Sequence, residues 1–313
     1  MKKTLIFILY LFILTEIFFR FFFPGSDITQ VMEWSLDPDL MYTLKPGASM
    51  IFDGQMVRLP PSNISINSYG MRDNVLSSDK NGKYRIAFIG DSIVFGWGLD
   101  INKTFIKRLE GILNRTLDRN DIECLNFGVF GYNIKQYLGA LKDKAMDWHP
   151  DVVVIVLNRD DLINVAEGFN PLRQGWIRVA KPIFYASRVC RMFAVWSVLI
   201  RNRIRFQHTD PAWEATAYQD IISMTKSVRS KDIPVLYYVY QESHLTQSLF
   251  QRVELLVKDT NDTETIFLRK SSICDDEKYI FKGDPHPNNE GSGCIANDLA
   301  NFFLSHKELL TKD

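Results

Sequence analysis

The chain reads as an α/β protein built on a doubly wound parallel sheet, and three features of its 313 residues lead there. From Tyr84 onward, short apolar runs alternate with amphipathic stretches of helical spacing, the pattern of strands joined by crossover helices. One run, Asp151–Leu157 ("DVVVIVL"), is the most strongly β-branched in the chain and suits a central strand buried on both faces. The stretch Tyr84–Gly98 ("YRIAFIGDSIVFGWG") passes from an apolar strand through a glycine turn into a helix start.

The N-terminus is different in kind. Met1 and two lysines precede "TLIFILYLFILTEIFFRFFF", about the twenty apolar residues that a bilayer core needs. Glu16 and Arg20 interrupt it four residues apart, on one helix face where they can pair. Bulky aromatics and Pro24-Gly25 follow instead of a small-residue cleavage site. Residues 1–25 are therefore expected to be an uncleaved signal anchor, with a cleaved signal peptide as the competing reading. Lys2 and Lys3 mark the cytoplasmic side, and the lack of lysine or arginine between Arg20 and Lys45 favours export of the rest. This makes a single-pass protein, held in the membrane by residues 4–23, with its globular part outside the cytoplasm.

Residues 26–83 carry turn residues and little periodicity and are expected to be an extended segment. Within it, Ile64–Asp73 ("ISINSYGMRD") reads as an edge strand and a turn at Gly70, with a supporting contact by Arg72 as the sharper option. "DNVLSSDKNGK" reads as a solvated linker whose carboxylates, Asp73 and Asp79, take no chemical role.

Residues 84–313 make the main domain. "TFIKRLEGIL" is helix, "IECLNFG" strand, and "NIKQYLGALKDKAMDW" helix ended by His149-Pro150. "WEATAYQDIISMTKSV" is helix, "IPVLYYVY" strand, "HLTQSLFQRVELLVK" helix, "ETIFLR" the last strand, and Glu290–His306 the last helix. An insertion at about 163–210 mixes aromatics with arginines and is too short in its apolar run to span a bilayer. It fits a packed helix pair with a basic solvent face. A lid, or a basic amphipathic helix lying on the membrane, is the functional alternative.

Two polar sites carry chemistry. Ser92 follows Gly90-Asp91 at the carboxyl end of the first strand of the sheet, where open α/β folds place their ligands. Its own N–H and the start of the helix can face a developing anion. Near the other end, "KGDPHPNNEGSG" holds His286 between two prolines, directly before a helix, and Asp284 two residues earlier can bond one ring nitrogen. Nucleophile, base and orienting carboxylate are all available.

The totals exclude other classes. Lysine plus arginine balances aspartate plus glutamate at 37 each, so no overall charge draws the chain to nucleic acid. The five histidines lie scattered and the four cysteines show no metal spacing, so neither a metal nor a cofactor is expected. Cys124 reads as a buried thiol. Cys274 and Cys294 flank the His286 loop and are candidates for a bridge in an oxidising compartment.

"FIGDS", then "NFGVFGYN", then "DPHPNNEG", in this order and spacing, resemble the SGNH (GDSL-type) hydrolase superfamily, in particular its membrane-anchored bacterial members. The resemblance covers roughly Arg85 to the C-terminus, apart from the insertion. It implies a three-layer α/β/α sheet of flavodoxin type and acyl-ester chemistry on a serine. By position Ser92 matches the nucleophile, Gly131 the oxyanion glycine, His286 the base and Asp284 the acid. Many members place that acid three residues before the histidine, where this chain has Gly283. A segment similar to Asn67-x-x-Gly70-x-Arg72 precedes the catalytic strand in many anchored members. Many also carry an asparagine after the third strand that completes the oxyanion hole; here Asp160 stands in direct register, and Asn158, of the same strand parity, is the alternative. An ionised carboxylate about 4 Å from an oxyanion would repel it by roughly 4 kcal/mol at an effective dielectric near 20.

The function implied is serine-dependent hydrolysis of carboxylic (acyl or acetyl) esters. The alternatives are an O-acyltransferase or deacetylase acting on envelope polysaccharide, and a non-catalytic partner in a membrane assembly. The substrate partner expected is an acyl ester, with a glycan and a lipid as the two open carriers.

Overall fold

The computed structural model describes residues 2–22, 30–35, 37, 39–40, 42–52, 59–74, 76–162, 187, 189–190, 211–259 and 262–311. The expected insertion at 163–210 lies outside the described residues except for 187, 189 and 190.

The sheet forms from the apolar runs read above. Its strands are β5 (Tyr84–Ile89), β6 (Ile122–Asn126), β7 (Val152–Leu157), β8 (Val235–Val239) and β9 (Thr265–Arg269), all parallel, in the spatial order β6-β5-β7-β8-β9. They are preceded by two antiparallel pairs, β1 (Met32–Trp34) with β2 (Tyr42–Leu44) and β3 (Ser49–Phe52) with β4 (Ser62–Ser65). β5 pairs Phe88 with Asn126 of β6 on one side and Ile86 with Val152 of β7 on the other. The chain thus winds outward in both directions from β5, and the crevice at its carboxyl end is the topological switch point.

Strand alternation sorts side chains into two cores. Ile86, Phe88, Val152, Val154 and Val156 face α3 (Phe105–Thr116) and α7 (Asn289–Ser305). Ala87, Ile89, Val153, Ile155 and Leu157 face α4 (Ile134–Asp143), α5 (Pro211–Arg229) and α6 (Gln247–Asp259). All of β5 and β7 is buried, and each such aliphatic side chain contributes roughly 1.5–3 kcal/mol by leaving water. The three-layer α/β/α architecture is therefore present as expected. The helix expected to run to Trp148 stops at Asp143, and Ala145–Trp148 continues as a 3₁₀ turn ended by His149 in the left-handed region.

The first helix, α1 (Lys2–Phe22), is 21 residues long, has no buried residue, and is long and apolar enough to cross a membrane. Arg20 Nε donates to Glu16 Oε1 at 2.9 Å, as their spacing suggested. Glu16 Oε2 also accepts from Ser187 Oγ at 2.9 Å and from Val189 N at 3.1 Å.

The segment before β5 packs more closely than a linker. Leu44, Phe52, Ile64, Ile66 and Met71 join the core on the α4 side of the sheet. Asp73, expected to be solvated, is buried and paired with Lys107 at 2.7 Å. The carbonyls of Ser77, Ser78 and Asp79 accept from the fully buried Arg85 guanidinium.

Candidate active site

The strand-to-helix turn is built by three residues. A Cβ at Gly90 would lie 2.4 Å from Val94 Cγ2, so only glycine lets strand and helix approach this closely. Asp91 is the N-cap of α2 (Ser92–Phe95), its Oδ1 accepting from Ile93 N at 2.8 Å. Gly96, with φ of 81°, closes the helix after one turn. Ser92 is the first helical residue and stands at the mouth of the crevice.

The other half comes from the loop before α7. His286 O accepts from Phe281 N, Tyr240 Oη donates to Pro285 O, and Asn288 caps α7 through Glu290 N and Gly291 N. The disulfide Cys274–Cys294 ties the turn before this loop to the helix after it, so the bridge expected as a candidate is present. Cys124 is a buried free thiol.

These elements bring Ser92, His286 and Asp284 together. His286 Nε2 is 2.7 Å from Ser92 Oγ, and His286 Nδ1 is 2.5 Å from Asp284 Oδ1. The same carboxylate oxygen accepts from the His286 backbone N–H at 2.9 Å. That double acceptance is how the short Asp-x-His spacing works: the carboxylate folds back over one residue and grips main chain and ring together. An ionised carboxylate can only accept, so it selects the tautomer with the proton on Nδ1 and leaves Nε2 to receive the serine proton. Burial opposes ionisation of Asp284, but the bonds from the His286 ring and backbone, helped by the Arg159 charge, outweigh it and hold the carboxyl below its usual range.

On the oxyanion side, Gly131 has φ of 73°, a conformation that glycine takes without strain. It follows a loop held against α2: Asn126 Nδ2 donates to Val94 O at 3.0 Å, and Asn126 Oδ1 accepts from Gly128 N at 2.9 Å. A Cβ at Gly128 would lie 2.4 Å from Phe95 N.

After β7 the two candidates part. Asn158 is buried, and its Nδ2 donates to Asp91 Oδ2 at 2.8 Å while its Oδ1 accepts from Arg159 N. Its amide is thus committed to the carboxylate that caps the helix of Ser92. Asp161 closes the strand end by accepting from Asn158 N and from Tyr137 Oη, each at 2.7 Å. Asp160 keeps over a third of its side chain exposed and has Arg159 Nε 3.5 Å from its Oδ1. Burial of its surroundings raises its carboxyl above the usual range, against the pull of Arg159 and His286. Burial also raises Asp91, against the bonds from Asn158 and Ile93.

The supporting contact by Arg72, the sharper of the two sequence readings, is present, in bonds to Phe95 O, Gly96 O and Leu99 O; the amide link from Asn158 to Asp91, the Asn126 bridge and the burial of Asp73 were not legible. Among the described residues no group of histidine, cysteine, aspartate and glutamate is placed to hold a metal ion.

No protein-family model matches the chain, and no curated protein does. Among solved structures it is similar to the psychrotrophic esterase EstA from Pseudoalteromonas sp., at 13% identity over 72% of this chain and 100% of that one, with a TM-score of 0.48. It is also similar to a member of the lipolytic protein G-D-S-L family from Veillonella parvula, at 13% identity over 71% and 98%, with a TM-score of 0.44. A GDSL-like lipase from Bacteroides thetaiotaomicron matches at 15% identity over 74% and 93%, with a TM-score of 0.43. Its five parallel strands, in the order β6-β5-β7-β8-β9 between two layers of helices, make the α/β/α fold that the resemblance to SGNH hydrolases implied.

Proposed function

We propose that the chain is a serine-dependent carboxylic-ester hydrolase that works through an acyl-enzyme on Ser92. The observation that carries this is the unbroken line Ser92 Oγ, His286 Nε2, His286 Nδ1, Asp284 Oδ1, with contacts of 2.7 and 2.5 Å. His286 takes the Ser92 proton as Oγ adds to the acyl carbonyl. The Ser92 and Gly131 N–H groups receive the oxyanion. Collapse breaks the ester C–O bond, and His286 returns the proton to the departing alkoxide. Water then repeats the sequence on the acyl-enzyme, with His286 again as base, and frees the carboxylic acid. Asp284 holds the ring and stabilises the imidazolium between these steps. Asp160 stands where an amide would complete the hole, and it weakens that third position.

We place the enzyme outside the cytoplasm on a single membrane span. Support comes from the apolar α1, from the lysines before it, and from the disulfide, which belongs to an oxidising compartment. Retention in the membrane pellet after a high-salt wash supports the anchor; a soluble protein that starts beyond residue 23 overturns it.

The test of activity is an assay of the full chain in detergent, with p-nitrophenyl acetate and acetylated oligosaccharides as acyl donors and with water or a free sugar as acceptor. Release of acid that disappears in Ser92→Ala is expected. Equal rates in wild type and Ser92→Ala would overturn the reading, and acyl transfer to the sugar in preference to water would make the enzyme a transferase.

A further inference from the structure

We propose that Arg72, together with Asp73, is a positioning residue for the nucleophile: it holds the one-turn helix that carries Ser92 in place from below. The proposal rests on the reading of Ser92 as nucleophile.

α2 is four residues long. A single helical turn is unfavourable by itself, because nucleation fixes several residues for one hydrogen bond, and its carbonyls lack partners further along a helix. The structure supplies them from outside. Ser92 O accepts from Gly96 N at 3.0 Å and Trp97 N at 3.1 Å, and Ile93 O from Gly96 N at 3.2 Å. Val94 O is taken by Asn126 Nδ2 at 3.0 Å. Phe95 O and Gly96 O are both taken by Arg72 Nη1, at 2.8 and 2.6 Å. Arg72 Nη2 donates to Leu99 O and, at 3.2 Å, to Asn63 O on β4. The guanidinium carbon lies 4.7 Å from the centroid of the Phe95 ring.

Arg72 is 1% exposed. A buried charge is expensive unless it is hydrogen-bonded, and a packed apolar side chain often stabilises a core as well or better. Core stability alone is therefore a weak reason for an arginine here. What the arginine does is gather carbonyls of the stretch Phe95–Leu99, directly after the nucleophile, and tie them to β4. Burial lowers its pKa to about 10, which leaves it charged at neutral pH.

Asp73 completes the clamp. Its Oδ2 accepts from Asn126 N at 3.0 Å, and its Oδ1 pairs with Lys107. Asn126 in turn bonds Val94 O and Gly128 N, on the way to Gly131. Two adjacent residues thus grip both the turn of Ser92 and the loop that brings the second oxyanion donor.

The molecule contains its own control. Arg85 is equally buried and also gathers carbonyls, those of Ser77, Ser78, Asp79 and Trp148. It does so at the opposite end of β5 from Ser92. A general loss of packing should follow from either arginine, whereas a misplaced nucleophile should follow from Arg72 alone.

The experiment compares wild type, Arg72→Met, Arg72→Lys, Arg85→Met and Ser92→Ala as full chains in detergent. It measures the rate constant for labelling by a fluorophosphonate, the Tm, and kcat and KM on a simple ester. Labelling in Arg72→Met should be slower by roughly 10- to 100-fold at a temperature well below its Tm, the scale of a displaced reacting group. The loss should fall on kcat more than on KM, and Arg72→Lys should recover part of it. Arg85→Met, at a similar loss of Tm, should label as fast as wild type. If Arg72→Met does not fold, Arg72→Lys carries the comparison and should label more slowly than Arg85→Met. Wild-type labelling rates in both Arg72 variants, or equal slowing in Arg85→Met, would overturn the proposal. A wild type that does not label, or labelling that persists in Ser92→Ala, overturns the nucleophile reading itself and the positioning role with it.

Discussion

The amide of Asn158 donates to the carboxylate of Asp91 across 2.8 Å, joining the end of β7 to the cap of the helix that carries Ser92. Asp91 is buried and uses its other oxygen for Ile93 N. Removing the amide leaves a buried carboxylate short of a donor, a loss of about 1–3 kcal/mol. Asn158→Ala should therefore lower both Tm and turnover, as read by thermal unfolding and an ester assay. Wild-type values for both would show that Asp91 does not depend on the amide.

Asp160→Asn should act in the opposite direction. It replaces a carboxylate, which repels a developing oxyanion, with a donor of nearly the same shape. A full hole donor is worth about 10²–10³ in kcat. Turnover on a simple ester should rise by up to roughly 100-fold, with Tm little changed. A fall in turnover would mean that the carboxylate has a positive role, for instance through its pairing with Arg159.

Asp284→Asn should lower kcat less than Ser92→Ala or His286→Ala, since its role is orientation; for the triad as a unit, the double variant of Ser92 and His286 should be little worse than either single one. It should also leave a pH signature in stability. The folded-state pKa of Asp284 lies below its usual value, because its bonds from His286 outweigh burial. A carboxyl depressed in the folded state adds stability that is present above the unfolded pKa, about 4, and is lost as pH falls through the folded value. The Tm advantage of wild type over Asp284→Asn should be full at pH 6–7 and shrink below about pH 4. A difference independent of pH would show that the carboxylate charge is not engaged.

Reduction of Cys274–Cys294 should loosen the base. The bridge closes a loop of 20 residues in which His286 lies, and cross-links of that span stabilise by about 3 kcal/mol. Reductant should lower Tm and reduce turnover together, as read by scanning in its presence and absence. An unchanged turnover at a lowered Tm would mean that the loop is held by Asn288 and Tyr240 alone.

Much of the fold, and the candidates Ser92, His286 and Asp284 that it brings together, could be read from residue patterns, and the reasons are local. β5 and β7 are near-continuous apolar runs, Gly90 and Gly96 punctuate the nucleophile turn, and the prolines around His286 mark a stiff loop. What could not be read was long-range and polar. Arg72 reaches Phe95, Gly96 and Leu99 across more than twenty residues, and Asp73 meets Lys107 and Asn126. Hydrogen bonds of that kind have no periodicity, so Asp73, at the head of "DNVLSSDKNGK", looked like part of a solvated linker. Asn158 and Asp160 shared strand parity, and only three-dimensional contact showed that Asn158 holds Asp91 while Asp160 lies beside Arg159.

The most direct measurement is mass spectrometry of the full chain after treatment with a fluorophosphonate. One adduct per molecule, on the peptide containing Ser92, lost in Ser92→Ala and formed far more slowly in His286→Ala, is the expected result. No adduct, or an adduct on another residue that survives in Ser92→Ala, would contradict a nucleophilic Ser92 activated by His286.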